Sequence, residues 1–304
     1  MLSRALVLRV AEFPAFKRWI KHSSLTQGLI QRFIAGEDVD TAIAIAHQLN
    51  QEGFLVALDY LGEDTHRLED AEQAACQYIT LLERIAQSQV NSCISIKLTQ
   101  LGLDLGYEIA RKNLEKVLAA AQSLNNFVWI DMESSKHTQP ILDLFCELYP
   151  RYPNSGTVLQ SYLYRTPQDL ERLIHLGARV RLVKGAYAEP KEVAYPDKKS
   201  VDHQFKVQME LLLEQGKEPA IATHDLRLIN HAKQYAAELG LEKSQYEFQL
   251  LYGISRELQK QLLAEGYRTL IYVPYGEQWY PYFSRRLAER PANLYFILRS
   301  LFRK

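Results

Sequence analysis

The sequence predicts an α/β protein built as a (β/α)8 barrel of the TIM type. Eight short apolar or β-branched runs alternate with longer amphipathic stretches, the count and order such a barrel needs. The runs are almost continuously apolar, as parallel strands covered on both faces must be. The rival architecture, a doubly wound open sheet, would carry a Gly-rich nucleotide turn after its first strand. Neither G-x-G-x-x-G nor G-x-x-x-x-G-K-[ST] occurs anywhere in the chain.

The strands are expected at 54–61, 94–99, 127–133, 157–162, 180–187, 220–224, 246–252 and 269–273. Helical spacing is read between them, for example at 70–87, 107–124, 168–176, 200–215, 226–239 and 256–265. Residues 1–53 read as helical at 13–22, 25–35 and 39–51 and are expected to form an arm or lid. Residues 54–304 are the expected catalytic barrel, ending in a long helix from Glu277 onward. There is no internal repeat, low-complexity segment or Pro/Gly/Ser linker, and the 14 glycines leave little length for loose connections.

Composition excludes several function classes. Lys+Arg and Asp+Glu are equal at 36 each, so no global field gathers nucleic acid or anionic lipid. Cys76, Cys93 and Cys146 are widely spaced without a C-x-x-C pair, which argues against a disulfide framework and a structural zinc site. No metal is expected. Arg4 and Arg9 interrupt the apolar N-terminus, and no apolar run approaches the roughly 18 residues that span a bilayer. The expectation is a soluble, cytoplasmic protein.

In such barrels the chemistry lies at the C-terminal ends of the strands. Lys97, Asp131, Arg181 and Lys184 stand in or at the ends of otherwise apolar strands, where a buried charge without a partner is costly. Lys97 and Asp131 have a bland alternative as an ion pair between neighbouring strands. Asp131 and Glu133 share strand parity and are readable as paired carboxylates for acid–base work. His224 is readable as a satisfied core histidine, and Lys97 or Lys184 as the Schiff-base lysine of a flavin-free lyase. On the last helix, Arg285 and Arg286 project side by side with Glu289 three and four residues on. Two guanidinium forks make a receptor for a carboxylate; the bland alternative is a solvated helical surface.

Taken together, Arg181-Leu182-Val183-Lys184-Gly185-Ala186-Tyr187, Ala222-Thr223-His224, Leu251-Tyr252-Gly253, and Tyr272-x-Pro274 followed by Tyr282-x-x-Arg285-Arg286-x-x-Glu289 resemble the proline dehydrogenase family. The resemblance runs from about Phe54 to the C-terminus and implies a distorted barrel with its last helix above the mouth. It implies FAD held without a Rossmann module, and oxidation of L-proline to Δ1-pyrroline-5-carboxylate by hydride transfer, with electrons passed to a quinone. Arg285, Arg286 and Lys97 would grip the proline carboxylate, and Tyr187, Leu251, Tyr272 and Tyr282 would wall the ring. Asp131 would belong to the catalytic group, and Arg181 would lie against the flavin, favouring its reduced anionic state. Met132, Gln160, Lys184, Gly185, Ala186, Thr223 and His224 match positions that contact the flavin or its phosphates. At Gly185 the missing Cβ would let backbone approach a ligand closely.

A quinone acceptor implies peripheral contact with the inner face of the cell membrane. Asp225 stands where part of the family has Asn. The length suggests the short monofunctional bacterial type. The alternatives are oxidation of hydroxyproline or another cyclic amine, which Tyr282 disfavours by crowding the ring, the flavin-free lyase, and a barrel that senses proline without turnover.

Overall fold

The computed structural model describes residue 28, residues 30–62 and residues 65–289. The expected helix at 13–22, part of that at 25–35, and the side chain of Glu289 lie outside the described residues. In chain order the elements are α1 (Val39–Gln51), β1 (Leu55–Tyr60), α2 (Leu68–Ser88), β2 (Ser92–Ile96), α3 (Tyr107–Ser123), β3 (Val128–Ile130), α4 (Ser135–Leu148), β4 (Ser155–Gln160) and α5 (Thr166–His175). There follow β5 (Arg179–Val183), α6 (Lys198–Gln215), β6 (Lys217–Ala222), α7 (Leu226–Glu238), β7 (Glu247–Leu251), α8 (Arg256–Ala264), β8 (Arg268–Tyr275) and α9 (Tyr280–Glu289).

The eight strands pair in sequence order, all parallel, and β8 returns to β1 to close the barrel. Alternation along each strand sorts its side chains into two sets. Val56, Leu58, Ile94, Ile96, Val180, Leu182, Phe248, Leu250, Ile271 and Val273 join the apolar faces of the helices in one buried cluster. The opposite parity fills the barrel with polar groups: Asp59 on β1, Ser95 on β2, Arg181 on β5, Glu247 and Gln249 on β7. Each needs a partner there, because an unpaired buried charge costs several kcal/mol. At the N-terminal end of β5, half-buried Arg179 lies 3.4 Å from Glu247 and 5.2 Å from the Trp129 ring. Two steps of β5, from Arg179 to Arg181, span three of β6, from Lys217 to Ala220, and this bulge lies one layer below the mouth.

Two helices depart from the simple alternation. The helix after β8, α9, contributes Tyr282, Arg285 and Arg286 to the lining of a cleft at the barrel mouth. Between β8 and β1 the outer ring is completed by α1, which packs on both strands and on α2. Asp38 caps α1, accepting from Thr41 N at 2.8 Å, and Ala42, Ile43, Ala46 and Leu49 form its buried face. The described part of the expected arm is thus seated in the helical layer.

Candidate active site

The cleft lies at the C-terminal mouth of the barrel beneath α9 and has a volume of about 690 Å³, well within the range of small-molecule and cofactor sites. Its floor is built around Asp131, the first residue beyond β3. Oδ1 accepts from Ser95 Oγ at 2.9 Å and Arg181 Nη1 at 2.8 Å. Oδ2 accepts from the Tyr272 hydroxyl at 2.7 Å and lies 3.8 Å from Lys97 Nζ. Burial pushes the Tyr272 phenol well above its usual range, and the charges of Asp131 and Asp59 push it further, so it stays a neutral donor.

Arg181 is 3% exposed and lies 4.6 Å from the Trp129 ring centre and 5.4 Å from that of Tyr272. One nitrogen serves Asp131 and Ser95, whereas Nε and Nη2 have no hydrogen-bond partner among the described residues. A buried guanidinium left in that state at a cleft is suited to a ligand that accepts hydrogen bonds.

Lys97 follows β2. Its chief partner is Asp59 on β1, whose two carboxylate oxygens each stand 3.0 Å from Nζ. The Lys97–Asp131 pair considered from sequence is the longer and secondary contact. Burial drives the Asp59 carboxyl upward, Lys97 pulls it back, and neighbouring Asp131 raises it again.

Asp131 and Glu133 do not form a carboxylate pair. β3 ends at Ile130, so strand parity does not carry on to Glu133. Its carboxylate instead accepts from Thr99 N at 3.0 Å and Thr99 Oγ1 at 2.5 Å, is buried, and does not line the cleft.

The opposite side comes from the ends of β4, β5 and β6. Gln160, Lys184, Gly185, Ala186, Tyr187, Thr223 and His224 all line the cleft. Lys184 Nζ donates to Asp202 at 2.6 Å and Asp225 at 3.0 Å, carboxylates it shares with Lys198 and Arg227. Burial would raise Asp225, but the hydrogen bonds and charge of Lys184, with Arg227, outweigh it and hold the carboxyl low. His224 Nε2 accepts the backbone N–H of Leu251 at 3.1 Å, which leaves the proton of a neutral ring on Nδ1. Gly185 has φ +117°, and a Cβ there would stand 2.4 Å from the Tyr162 ring. Its missing side chain makes room for Tyr162, and Gly185 also lines the cleft.

The roof is α9, with Arg285 6.0 Å from the Tyr187 ring centre and Arg286 5.2 Å from that of Tyr282. Leu251 and Tyr272 form the wall between roof and floor, and Met132 lies beside Asp131. One cleft therefore gathers the residues that the family resemblance assigned to substrate and cofactor, while Glu133, also considered from sequence, lies outside it. Asp59, Ser95 and Trp129 were not among them. An isolated acid in the run Leu55-Val56-Ala57-Leu58-Asp59-Tyr60 is the signal that marks the first.

The proline dehydrogenase family model matches residues 42–299. Proline dehydrogenase 1 of Bacillus subtilis (strain 168) is 42% identical over 274 residues, covering 90% of this chain and 91% of that protein. Proline dehydrogenase of Deinococcus radiodurans is 38% identical over 305 residues, 99% of this chain and 98% of that one. Among solved structures, proline utilization A from Bdellovibrio bacteriovorus, inactivated by N-propargylglycine, superposes with a TM-score of 0.83 at 26% identity. That match covers 95% of this chain but 35% of the solved one, so the chain spans about a third of that protein. Among the described residues no helix is long and apolar enough to cross a membrane. With a family model spanning most of its length and near-full-length relatives at 42% and 38% identity, this chain belongs to the proline dehydrogenase family.

Proposed function

We propose that the protein oxidises L-proline to Δ1-pyrroline-5-carboxylate with FAD as its cofactor, in the degradation of proline. The observation that carries this reading is the meeting, in one cleft, of a double arginine on α9, an aromatic and aliphatic wall, and Arg181 with unsatisfied buried donors. The donor set suits a flavin: Arg181 Nε and Nη2 point to an acceptor-rich group, and the cleft is of cofactor size. Met132, Gln160, Arg181, Lys184, Gly185, Ala186, Thr223 and His224 are the residues that would hold it. Bound there, FAD supplies the hydride acceptor for the ring C–H next to nitrogen.

The chain's own part is to bind, orient and exclude. Arg285 and Arg286 grip the proline carboxylate from above, and Lys97 meets it from below, fixing the ring by charge-assisted hydrogen bonds. Tyr187, Leu251, Tyr272 and Tyr282 enclose the apolar ring and keep water from it. Asp131 accepts three hydrogen bonds and faces Lys97, so its lone pairs are already engaged. Its role is to hold Arg181 and the Tyr272 hydroxyl in place; the substrate ammonium must give its proton to solvent before entry, so that the amine arrives neutral. The Tyr272 hydroxyl gives its proton to Asp131 and so donates nothing to a ring hydroxyl, and Tyr282 beside the arginines crowds the ring, which favours proline over hydroxyproline. Electrons leave to a quinone during peripheral contact with a membrane.

The test is proline-dependent reduction of a water-soluble quinone by the FAD-reconstituted protein. Reduction with L-proline and little with hydroxyproline supports the proposal. A protein that binds FAD yet reduces nothing with any five-membered cyclic amine would remove it.

A further inference from the structure

The segment just before α1 touches the end of β7, β8 and α9, on one side and the roof of the cleft. At the end of β7, Arg32 Nε donates to the carbonyl of Gly253 at 3.1 Å, two residues beyond Leu251. On β8, Ala35 N donates to the Pro274 carbonyl at 2.9 Å, two residues beyond Tyr272. Just past β8, Gly276 N donates to the Gly36 carbonyl at 2.9 Å. At the entry to α9, Trp279 Nε1 donates to Glu37 Oε1 at 2.9 Å. Within α9, Phe283 packs on Phe33 with ring centres 6.4 Å apart, and edge-on to Trp279 at 5.8 Å. Trp279 and Phe283 are 3% and 0% exposed, although Glu37 is exposed.

Phe283 stands next to Tyr282 and one turn or less before Arg285 and Arg286, so whatever fixes its azimuth fixes theirs. A helix joined to its barrel by the short connection Gly276–Trp279 has little else in that connection to set its angle. We propose that Glu37, acting through Trp279, and Phe33, acting through Phe283, are positioning residues that hold α9 so that Arg285 and Arg286 meet the substrate carboxylate. This rests on the reading of those arginines as the carboxylate receptor. The polar link is the better probe, because Trp279 N–H is largely shielded and its acceptor is charged.

The experiment measures proline kinetics, FAD affinity and melting temperature for Glu37→Ala, Trp279→Phe, their double variant, Glu37→Gln and Arg286→Met. Glu37→Ala and Trp279→Phe are each expected to raise KM for L-proline about three- to tenfold with kcat within about twofold. The double variant is expected to match the singles, since both remove one interaction. Glu37→Gln, which keeps an oxygen acceptor, should stay within about twofold of the parent. FAD affinity should be unchanged throughout. Additive effects, equal falls in kcat and melting temperature, or loss of function in Glu37→Gln would overturn the proposal, as would an unchanged KM in both single variants. If Arg286→Met also leaves KM unchanged, the carboxylate reading falls and takes this inference with it. If Arg286→Met raises KM and the single variants do not, the positioning role alone is wrong.

Discussion

Lys97 Nζ bridges both carboxylate oxygens of Asp59 at 3.0 Å, out of solvent, and only its other side faces the cleft. The pair sets where the lysine charge sits. Beside it, Asp131 and Arg181 form a second pair at 2.8 Å, so two cations and two anions share the floor. Removing one member leaves a charge in the barrel without its counter-ion, a loss usually worth about 3–5 kcal/mol.

Asp59→Asn is therefore expected to lower stability by about 3 kcal/mol, the amide keeping one acceptor for Lys97. Drawn toward Asp131, the lysine would no longer meet the substrate carboxylate, and KM for proline should rise. Chemical denaturation with steady-state kinetics checks both effects. A variant with parental stability and KM would show that the pair is idle.

Arg285→Met and Arg286→Met should each raise KM for proline roughly tenfold to a hundredfold, the equivalent of about 1–3 kcal/mol for a charge-assisted contact. FAD should remain bound, because α9 supplies none of the proposed cofactor contacts. Parallel titrations with FAD and with proline separate the two affinities.

Gly185→Ala meets two obstacles, a φ of +117° and the Tyr162 ring 2.4 Å from the new Cβ. Backbone strain of this kind costs about 1–3 kcal/mol before any clash is counted. Lower thermal stability together with weaker FAD binding is expected, because the same loop carries Lys184 and Ala186. Stability and FAD affinity equal to the parent's would contradict the packing argument.

Acid sensitivity follows from Asp225. Its carboxyl is held below the usual 3.8, with burial opposing and Lys184 and Arg227 prevailing. A depressed acid contributes stability that is present above its unfolded value and lost as pH falls through the folded one. The parent's melting temperature should accordingly fall more steeply below pH 3.8 than that of Asp225→Asn, which can still cap α7. Equal slopes in the two pH series would dismiss the linkage.

The barrel was readable because eight short β-branched or apolar runs alternate with amphipathic helical stretches. The runs are less continuously apolar than expected: the inward positions of β5 and β7 carry Arg181, Glu247 and Gln249. The expected strands at 94–99 and 127–133 ran past the observed ends at Ile96 and Ile130, because Lys97 and Asp131 directly follow those ends. The site was readable because charges at strand ends have no cheap structural explanation, and the motif around Arg181 tied them to one family. Asp59 escaped because it lies within the first strand, where no motif drew attention to it. Glu133 misled because parity holds only inside a strand. The packing of Gly185 against Tyr162 and the placing of α1 between β8 and β1 depend on contacts distant in sequence, which local patterns do not encode.

The most direct test of the central claim is an anaerobic visible spectrum of the FAD-loaded protein before and after L-proline is added. Bleaching of the flavin band with L-proline, and not with D-proline or alanine, is the expected result. A flavin spectrum that L-proline leaves untouched would contradict proline oxidation in this cleft.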